Sequence, residues 1–231
     1  MNGNLAFDSL LITGGEVSRD FTLCFLSAYP HVRLFAADQG LEACRELSLF
    51  PEVVLGDFDS AREETVSWAR GAGIEVCSLP SHKDDSDTQA ALREAKRRGA
   101  KTVAILGATG TRLDHVLANL GLLLWGKKEG LCLHLYDPYN HIYLAESGMA
   151  IRREDAFGEN VSFFSLGGEV EGLCLSGFVY PLENHRLSFS EASLTVSNVL
   201  SGEEGKVFFT AGDLFVAETR DEPYTDPGKG K

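Results

Sequence analysis

Two aspartates at alternate positions, Asp57 and Asp59, follow a short apolar run, Val53-Val54-Leu55, that ends on Gly56. In an extended chain alternate side chains share a side, so both carboxylates would point into one space with Phe58 turned away. Like charges held that close call for a cation. Oxygen-only donors suit a hard ion such as Mg2+, which keeps several waters and completes its shell with one or two carboxylates and a phosphate. An isolated Asp-x-Asp reads more readily as a solvated acidic turn.

A second acidic group follows in Lys83-Asp84-Asp85-Ser86-Asp87. Asp84 and Asp87 are three apart, which places them on one face if a helix has begun, where they would complete a magnesium site with the first pair. Either would also serve simply to complement a helix N-terminus. An EF-hand is excluded, because counting from Asp85 the sixth position is Ala90 rather than Gly and the twelfth is Lys96 rather than Glu.

The segment Gly107-Ala108-Thr109-Gly110-Thr111-Arg112 reads as a loop whose amides would cradle phosphate at the start of a helix, with Arg112 available for charge-assisted contacts. It is not a P-loop, since no Gly-Lys-Ser/Thr follows. His115 reads either as a nucleotide contact or as a plain helix-surface histidine.

The elements that must position these groups alternate through the first half. Strands are expected at Leu10 to Thr13, Val32 to Ala37, Val53 to Leu55, Ile74 to Leu79 and Thr102 to Leu106. Helices are expected at about Ser18 to Ala28, at Leu41 to Leu47, after Ser60 (with Ser60 and Glu63 as a capping box), up to about Arg98, and from Leu113 onward. In the last of these, Leu113, Val116, Leu117, Leu120 and Leu124 form one apolar stripe, with Asp114, His115 and Asn119 off it.

This grammar predicts an α/β domain with a parallel, Rossmann-like sheet. Each unusual cluster lies just after a predicted strand: Gly14-Gly15, Asp38, Asp57 with Asp59, Lys83 to Asp87, and Gly107 to His115. In a parallel sheet all the strand carboxyl ends share one edge, where ligands bind, so five clusters converge on one cleft.

From about Leu131 the pattern changes to short runs separated by Gly, Pro, Asn and Glu. They are Leu131 to Tyr136, His141 to Ala145, Val161 to Leu166, Gly172 to Leu175, Leu187 to Phe189, Leu194 to Val199, Val207 to Thr210 and Leu214 to Glu218. These predict an all-β C-terminal domain, a small antiparallel sandwich or barrel. The expected organisation is residues 1–147 as the nucleotide- and magnesium-binding catalytic domain, 148–220 as the sandwich, and 221–231 as a polar tail expected to be disordered.

The net charge of -13 over 231 residues argues against nucleic acid, whose backbone calls for clustered Lys and Arg. No apolar run is long enough to span a bilayer and no signal peptide is seen, so a cytoplasmic protein without a membrane partner is expected. The five cysteines are widely spaced with no Cys-x-x-Cys pair, and read as buried thiols rather than a disulfide framework.

Taken together, Gly56-Asp57-Phe58-Asp59-Ser60, Lys83-Asp84-x-Ser86-Asp87 and Gly107-x-x-Gly110-x-Arg112-x-Asp114-His115 closely resemble the thiamin pyrophosphokinase family. Tyr180-Pro181-Leu182 and Thr195-Val196-Ser197-Asn198 resemble its weaker C-terminal signatures, so the resemblance spans the chain. It implies transfer of pyrophosphate from ATP to the hydroxyl of thiamin, giving thiamin diphosphate and AMP, in a homodimer whose sandwich domains supply much of the contact.

The resemblance also assigns residues. It implies Asp57, Asp59, Asp84 and Asp87 as catalytic magnesium and triphosphate ligands, Arg112 and Asp114 on the nucleotide side, and Ser197 and Asn198 on the thiamin side. With these, Gly15, Asp38, Lys83, Gly107, Thr109, Gly110 and His115 make up the expected nucleotide site.

Three departures stand out. Ser86 takes the place of a usual Thr, Thr111 that of a common Gly, and both tryptophans, Trp68 and Trp125, lie in the first half, leaving Tyr180 or Phe215 to face the thiamin rings. The alternatives are a pyrophosphokinase for another hydroxymethyl heterocycle such as a pterin, or a non-catalytic nucleotide-sensing module.

Overall fold

The computed structural model describes residues 5–58, 62–80, 85–110 and 112–225. Two compact units are present, one formed by Ala6–Asp137 and the other containing the chain from Pro138 onward.

In the first unit strands and helices alternate: β1 (Ser9–Ile12), α1 (Arg19–Ala28), β2 (Arg33–Ala37), α2 (Gly40–Glu46), β3 (Val53–Gly56), α3 (Glu63–Gly71), β4 (Glu75–Ser78), α4 (Asp87–Arg97), β5 (Thr102–Leu106), α5 (Leu113–Glu129) and β6 (Cys132–Tyr136). The strands lie in the order β4-β3-β2-β1-β5-β6 and every pairing is parallel. A sheet with helices on its faces needs strands that are apolar along their length, and Leu10, Leu11, Ile12, Phe35, Val53, Val54 and Ile105 are all fully buried. Each such side chain contributes about 1.5–3 kcal/mol of burial energy. The exposed Arg33–Glu52 pair, at 2.6 Å, is worth about 1 kcal/mol at most.

The sheet changes direction at β1. From β1 the chain steps outward through β2, β3 and β4, then returns to place β5 and β6 on the other side of β1. The crevice beyond the ends of β1 and β5 is therefore the topological switch point, where open α/β sheets take their ligands.

Helix starts are set locally. Ser18 caps α1 by accepting from the Phe21 amide, and Ser86 caps α4 by accepting from the Gln89 amide at 3.2 Å. Helix α3 begins at Glu63 behind Arg62, whose amide donates to Glu42 Oε1 at 3.0 Å. The expected cap at Ser60 lies outside the described residues.

The leucine stripe expected to bury α5 does not do so. Leu113 and Leu117 are exposed, and the buried residues are Leu122, Leu123 and Gly126, because only the second half of the helix packs on β6. Its first half lines the cavity described below.

The second unit contains β7 (Asn140–Leu144), β8 (Ala150–Arg152), β9 (Asn160–Phe164), β10 (Val170–Ser176), β11 (Leu182–Leu187), a 3-10 helix (Phe189–Leu194), β12 (Glu204–Phe208) and β13 (Phe215–Thr219). Strand β13 lies antiparallel between β7 and β9, and the other four strands form an antiparallel sheet in the order β11-β10-β12-β8. Residues of both groups, among them Tyr143, Val161, Phe163, Val170, Leu173, Leu187, Val207 and Val216, make one buried cluster. Phe163, Phe178, Phe209 and Phe215 are buried, whereas Phe208 is half exposed, so most of the phenylalanines of this half fill the core. Buried Glu218 accepts from the Tyr143 hydroxyl at 2.7 Å and the Phe157 amide at 2.6 Å, and its burial raises the carboxyl pKa.

Several expected elements are placed differently. The strand at Leu131 to Tyr136 pairs in parallel with β5 and belongs to the first unit, and the division falls between Asp137 and Pro138, ahead of the expected 147/148, because β7 pairs with β13. Leu194 to Val199 is not a strand. Ser188 and Glu191 form a capping box that starts the 3-10 helix, Ser197 has φ 54°, and only Asn198 forms a bridge, with Val161. Of the expected tail, residues 221–225 are described, and Tyr224 stacks on Phe157 with centroids 5.6 Å apart while its amide donates to the Pro138 carbonyl at 2.7 Å.

All five cysteines are free thiols, but only Cys44 is buried; its pKa is pushed up to about 12 by burial, and Cys132 is exposed. Among the described residues no helix is long and apolar enough to cross a membrane.

Candidate active site

At the switch point, the loop after β1 and the loop after β5 are joined through their backbones. The Thr13 amide donates to the Leu106 carbonyl at 2.9 Å and the Gly15 amide to the Gly107 carbonyl at 3.0 Å. A Cβ on Gly15 would lie 2.2 Å from the Gly107 oxygen, and Gly107 has φ 74°, so both positions need glycine. Beneath them the Thr13 and Thr88 hydroxyls, both buried, are 2.9 Å apart and tie the start of α4 to the end of β1.

A cavity of about 390 Å³ opens here, lined by these two loops, by Asp38 and Gln39 after β2, by Ser86 and Asp87 at the start of α4, and by Arg112, His115, Val116 and Asn119. Of the expected site it collects Gly15, Asp38, Asp87, Gly107, Thr109, Gly110, Arg112 and His115 in one unit. Asp57 is half-buried and follows β3, whose end registers beside β2: Ala37 pairs with Leu55 and the Asp38 amide donates to the Leu55 carbonyl at 2.8 Å. Asp57 thus follows Gly56 next to Asp38, although it is not among the lining residues.

Lys83, Asp84 and Asp59 lie outside the described residues. The expected placing of Asp57 and Asp59 on one side reaches beyond the described residues; strand β3 ends at Gly56 and Phe58 turns with φ 56°. That conformation is uncommon for a bulky side chain and costs on the order of 1–3 kcal/mol, the kind of strain found where a site is being shaped. Helix α4 starts at Asp87, with Ser86 as its cap.

Arg112 and Asp114 form an exposed pair at 2.5 Å, and Asp114 also accepts from the His115 amide at 3.0 Å. The Asp114 carboxyl is held below its usual range by Arg112 and the Arg112 guanidinium is raised by Asp114. In the second unit Asn198 is buried, and its amide spans the Tyr180 backbone: Oδ1 accepts from the Tyr180 amide at 3.0 Å and Nδ2 donates to the Tyr180 carbonyl at 2.8 Å. Ser197 beside it is exposed, with its amide donating to Ser162 Oγ at 2.9 Å.

The cavity also takes in Thr13, Glu16, Gln39, Ser86, Thr88, Val116 and Asn119, which were not among the expected site residues. Asn119 lies one helical turn beyond His115, and that i,i+4 spacing is a signal that could have found it.

Two models of one family match the chain: "Thiamin pyrophosphokinase, catalytic domain" over residues 30–135 and "Thiamin pyrophosphokinase, vitamin B1 binding domain" over residues 148–214. The chain belongs to the thiamin pyrophosphokinase family. It is 29% identical over 191 residues to the thiamine pyrophosphokinase of Bacillus subtilis, covering 83% of this chain and 89% of that protein. The crystal structure of the thiamine pyrophosphokinase from Bacillus subtilis superposes with a TM-score of 0.80 at 28% identity, covering 92% of this chain and 98% of that one. That of the thiamin pyrophosphokinase from Geobacillus thermodenitrificans gives 0.76 at 27% identity, covering 94% and 97%. Yeast thiamin pyrophosphokinase, at 14% identity and a TM-score of 0.73 over 96% of this chain and 88% of that one, shares the fold.

Proposed function

We propose that the cavity at the switch point receives the triphosphate of ATP, and that the protein transfers the terminal pyrophosphoryl group to the hydroxyl of thiamin, releasing AMP and thiamin diphosphate. The observation that carries this reading is the convergence of Gly15, Asp38, Asp87, Gly107, Thr109, Gly110 and Arg112 on one cavity, in a chain that belongs to this family. On this reading the first unit is the Rossmann-like nucleotide domain and the second a β-sandwich that presents the acceptor.

The thiamin hydroxyl oxygen attacks the β-phosphorus, the bond from that phosphorus to the α,β-bridging oxygen breaks, and AMP leaves. A carboxylate of the aspartate cluster accepts the hydroxyl proton. Catalysis is then mostly positioning and charge neutralisation. The loop amides and Arg112 hold the phosphates, with Arg112 exchanging Asp114 for a phosphate oxygen.

Among the described residues no three His, Cys, Asp or Glu side chains gather closely enough to hold a metal ion. Magnesium does not require such a cage, because one or two carboxylates and the substrate phosphates suffice. The hard oxygen donors at the strand ends fit it, so Asp57 and Asp87, with Asp59 and Asp84, are assigned as its ligands. Bound Mg2+ would neutralise charge on the triphosphate.

For the acceptor, Phe215 is 1% exposed and has no face to offer, whereas Tyr180 is 62% exposed. The Tyr180 ring is the surface assigned to the cationic thiazolium or the pyrimidine, with Ser197 supplying a hydroxyl. Exposed Val179, Leu194 and Val196 nearby in the chain support a homodimer formed through this unit. Free thiols throughout suit the cytoplasm. The test is release of AMP from ATP and Mg2+ that depends on added thiamin; a chain that releases none with any hydroxymethyl acceptor would be a nucleotide-sensing module instead.

A further inference from the structure

The Gly107 to Gly110 loop is held by one backbone amide and two side chains. Three consecutive residues are fixed from three directions: the Gly107 carbonyl by the Gly15 amide at 3.0 Å, the Ala108 carbonyl by Asn119 Nδ2 at 2.8 Å, and the Thr109 hydroxyl by Asp137 Oδ2 at 2.6 Å. Asp137 follows β6 and does not line the cavity.

These bonds decide how the loop meets an anion. A hydroxyl has one proton, and Thr109 gives its proton to Asp137, so what this hydroxyl has left to turn toward a phosphate is lone pairs. A trans peptide sets its carbonyl and the following N–H in opposite directions. Fixing the Gly107 and Ala108 carbonyls therefore also fixes the Ala108 and Thr109 N–H groups, directed away from Gly15 and Asn119 respectively.

We propose that Asn119 and Asp137 are positioning residues for the phosphate subsite, and that Thr109 meets the nucleotide through its backbone amide while its hydroxyl serves to anchor the loop to Asp137. The proposal rests on the reading of the cavity as the nucleotide site.

The decisive experiment is a double-mutant cycle on the affinity for ATP with Mg2+, measured by calorimetry at fixed ionic strength on Thr109→Val, Asp137→Ala and the double variant, each checked by circular dichroism. If the hydroxyl acts only through Asp137, each single change weakens binding about tenfold, the value of a hydrogen bond worth about 1.4 kcal/mol, and the double variant is no weaker than either. Thr109→Ser restores most of the affinity, and Asn119→Ala raises the KM for ATP and leaves that for thiamin unchanged. A double variant weakened about a hundredfold, meaning additive losses, would show that the hydroxyl binds phosphate directly and would overturn the proposal. So would unchanged affinity in Asp137→Ala or Thr109→Val. Should Asp137→Ala not fold, Asn119→Ala decides alone, and equal rises in both KM values would overturn it. A wild-type protein that binds no nucleotide would overturn the reading of the cavity itself, an outcome distinct from these.

Discussion

The amide of Gly15 donates to the carbonyl of Gly107 at 3.0 Å, so the loops that leave β1 and β5 form one continuous wall at the switch point of the sheet. Positions 15 and 107 are far apart in sequence, and the parallel pairing of Ser9–Ile12 with Val103–Leu106 is what brings them together. The cleft exists because the sheet changes direction there.

This wall makes Gly15 intolerant of any side chain. In Gly15→Ala the added Cβ would lie 2.2 Å from the Gly107 oxygen and 2.8 Å from the Thr109 oxygen, both backbone atoms. Turnover should fall by about a hundredfold, equivalent to about 2.7 kcal/mol of transition-state stabilisation. Gly121→Ala is the contrasting case, exposed in α5 with nothing within 4 Å, and should stabilise the protein by about 0.5–1 kcal/mol with unchanged kinetics. Steady-state rates and urea midpoints of the two variants check both statements.

Asp57→Asn and Asp87→Asn keep the shape of the side chain and remove its charge. Neither residue is buried in the core, so unfolding midpoints should stay near the parent value. Turnover should fall by on the order of a hundredfold, about 2.7 kcal/mol. Near-normal rates in both variants at modest Mg2+ would remove the metal assignment.

Asn198 and Ser197 should separate. Asn198→Ala leaves the Tyr180 amide and carbonyl without their side-chain partner, and the loss of these two hydrogen bonds costs about 1–3 kcal/mol of stability and should raise the KM for thiamin through Tyr180. Ser197→Ala, at an exposed position, should leave the unfolding midpoint alone and raise the thiamin KM more than the ATP KM. Equal changes in both KM values would count against an acceptor role for this segment.

Acid sensitivity has an identifiable source in His134, whose burial lowers its pKa to about 4. A depressed histidine contributes stability that is complete above its unfolded pKa of about 6.5 and is lost as pH falls toward the folded value. Between pH 7 and pH 5 the loss from this residue should be about 2 kcal/mol. His134→Gln cannot take up the proton, so its urea midpoint should fall less over that interval than the parent's.

Much of the first unit was legible because its physics is local. Fully buried parallel strands read as apolar runs, helix starts carry their own caps at Ser18 and Ser86, and a parallel sheet sends each strand-end cluster to one edge. What stayed hidden depended on tertiary contacts. Leu113 and Leu117 match a buried stripe by period, but the buried residues of α5 are Leu122, Leu123 and Gly126. The run Leu194 to Val199 has strand composition, yet the Ser188–Glu191 capping box and the left-handed Ser197 decide against it. Asn119 and Thr88 reached the cavity through spacing that composition does not mark, and Phe58 ended an extension that its neighbours suggested.

The measurement that bears most directly on the central claim is 31P NMR of the reaction with ATP, Mg2+ and thiamin. AMP and thiamin diphosphate should appear in equal amounts, with neither ADP nor thiamin monophosphate formed in step. Appearance of ADP with thiamin monophosphate, or turnover of a hydroxymethylpterin with none of thiamin, would contradict it.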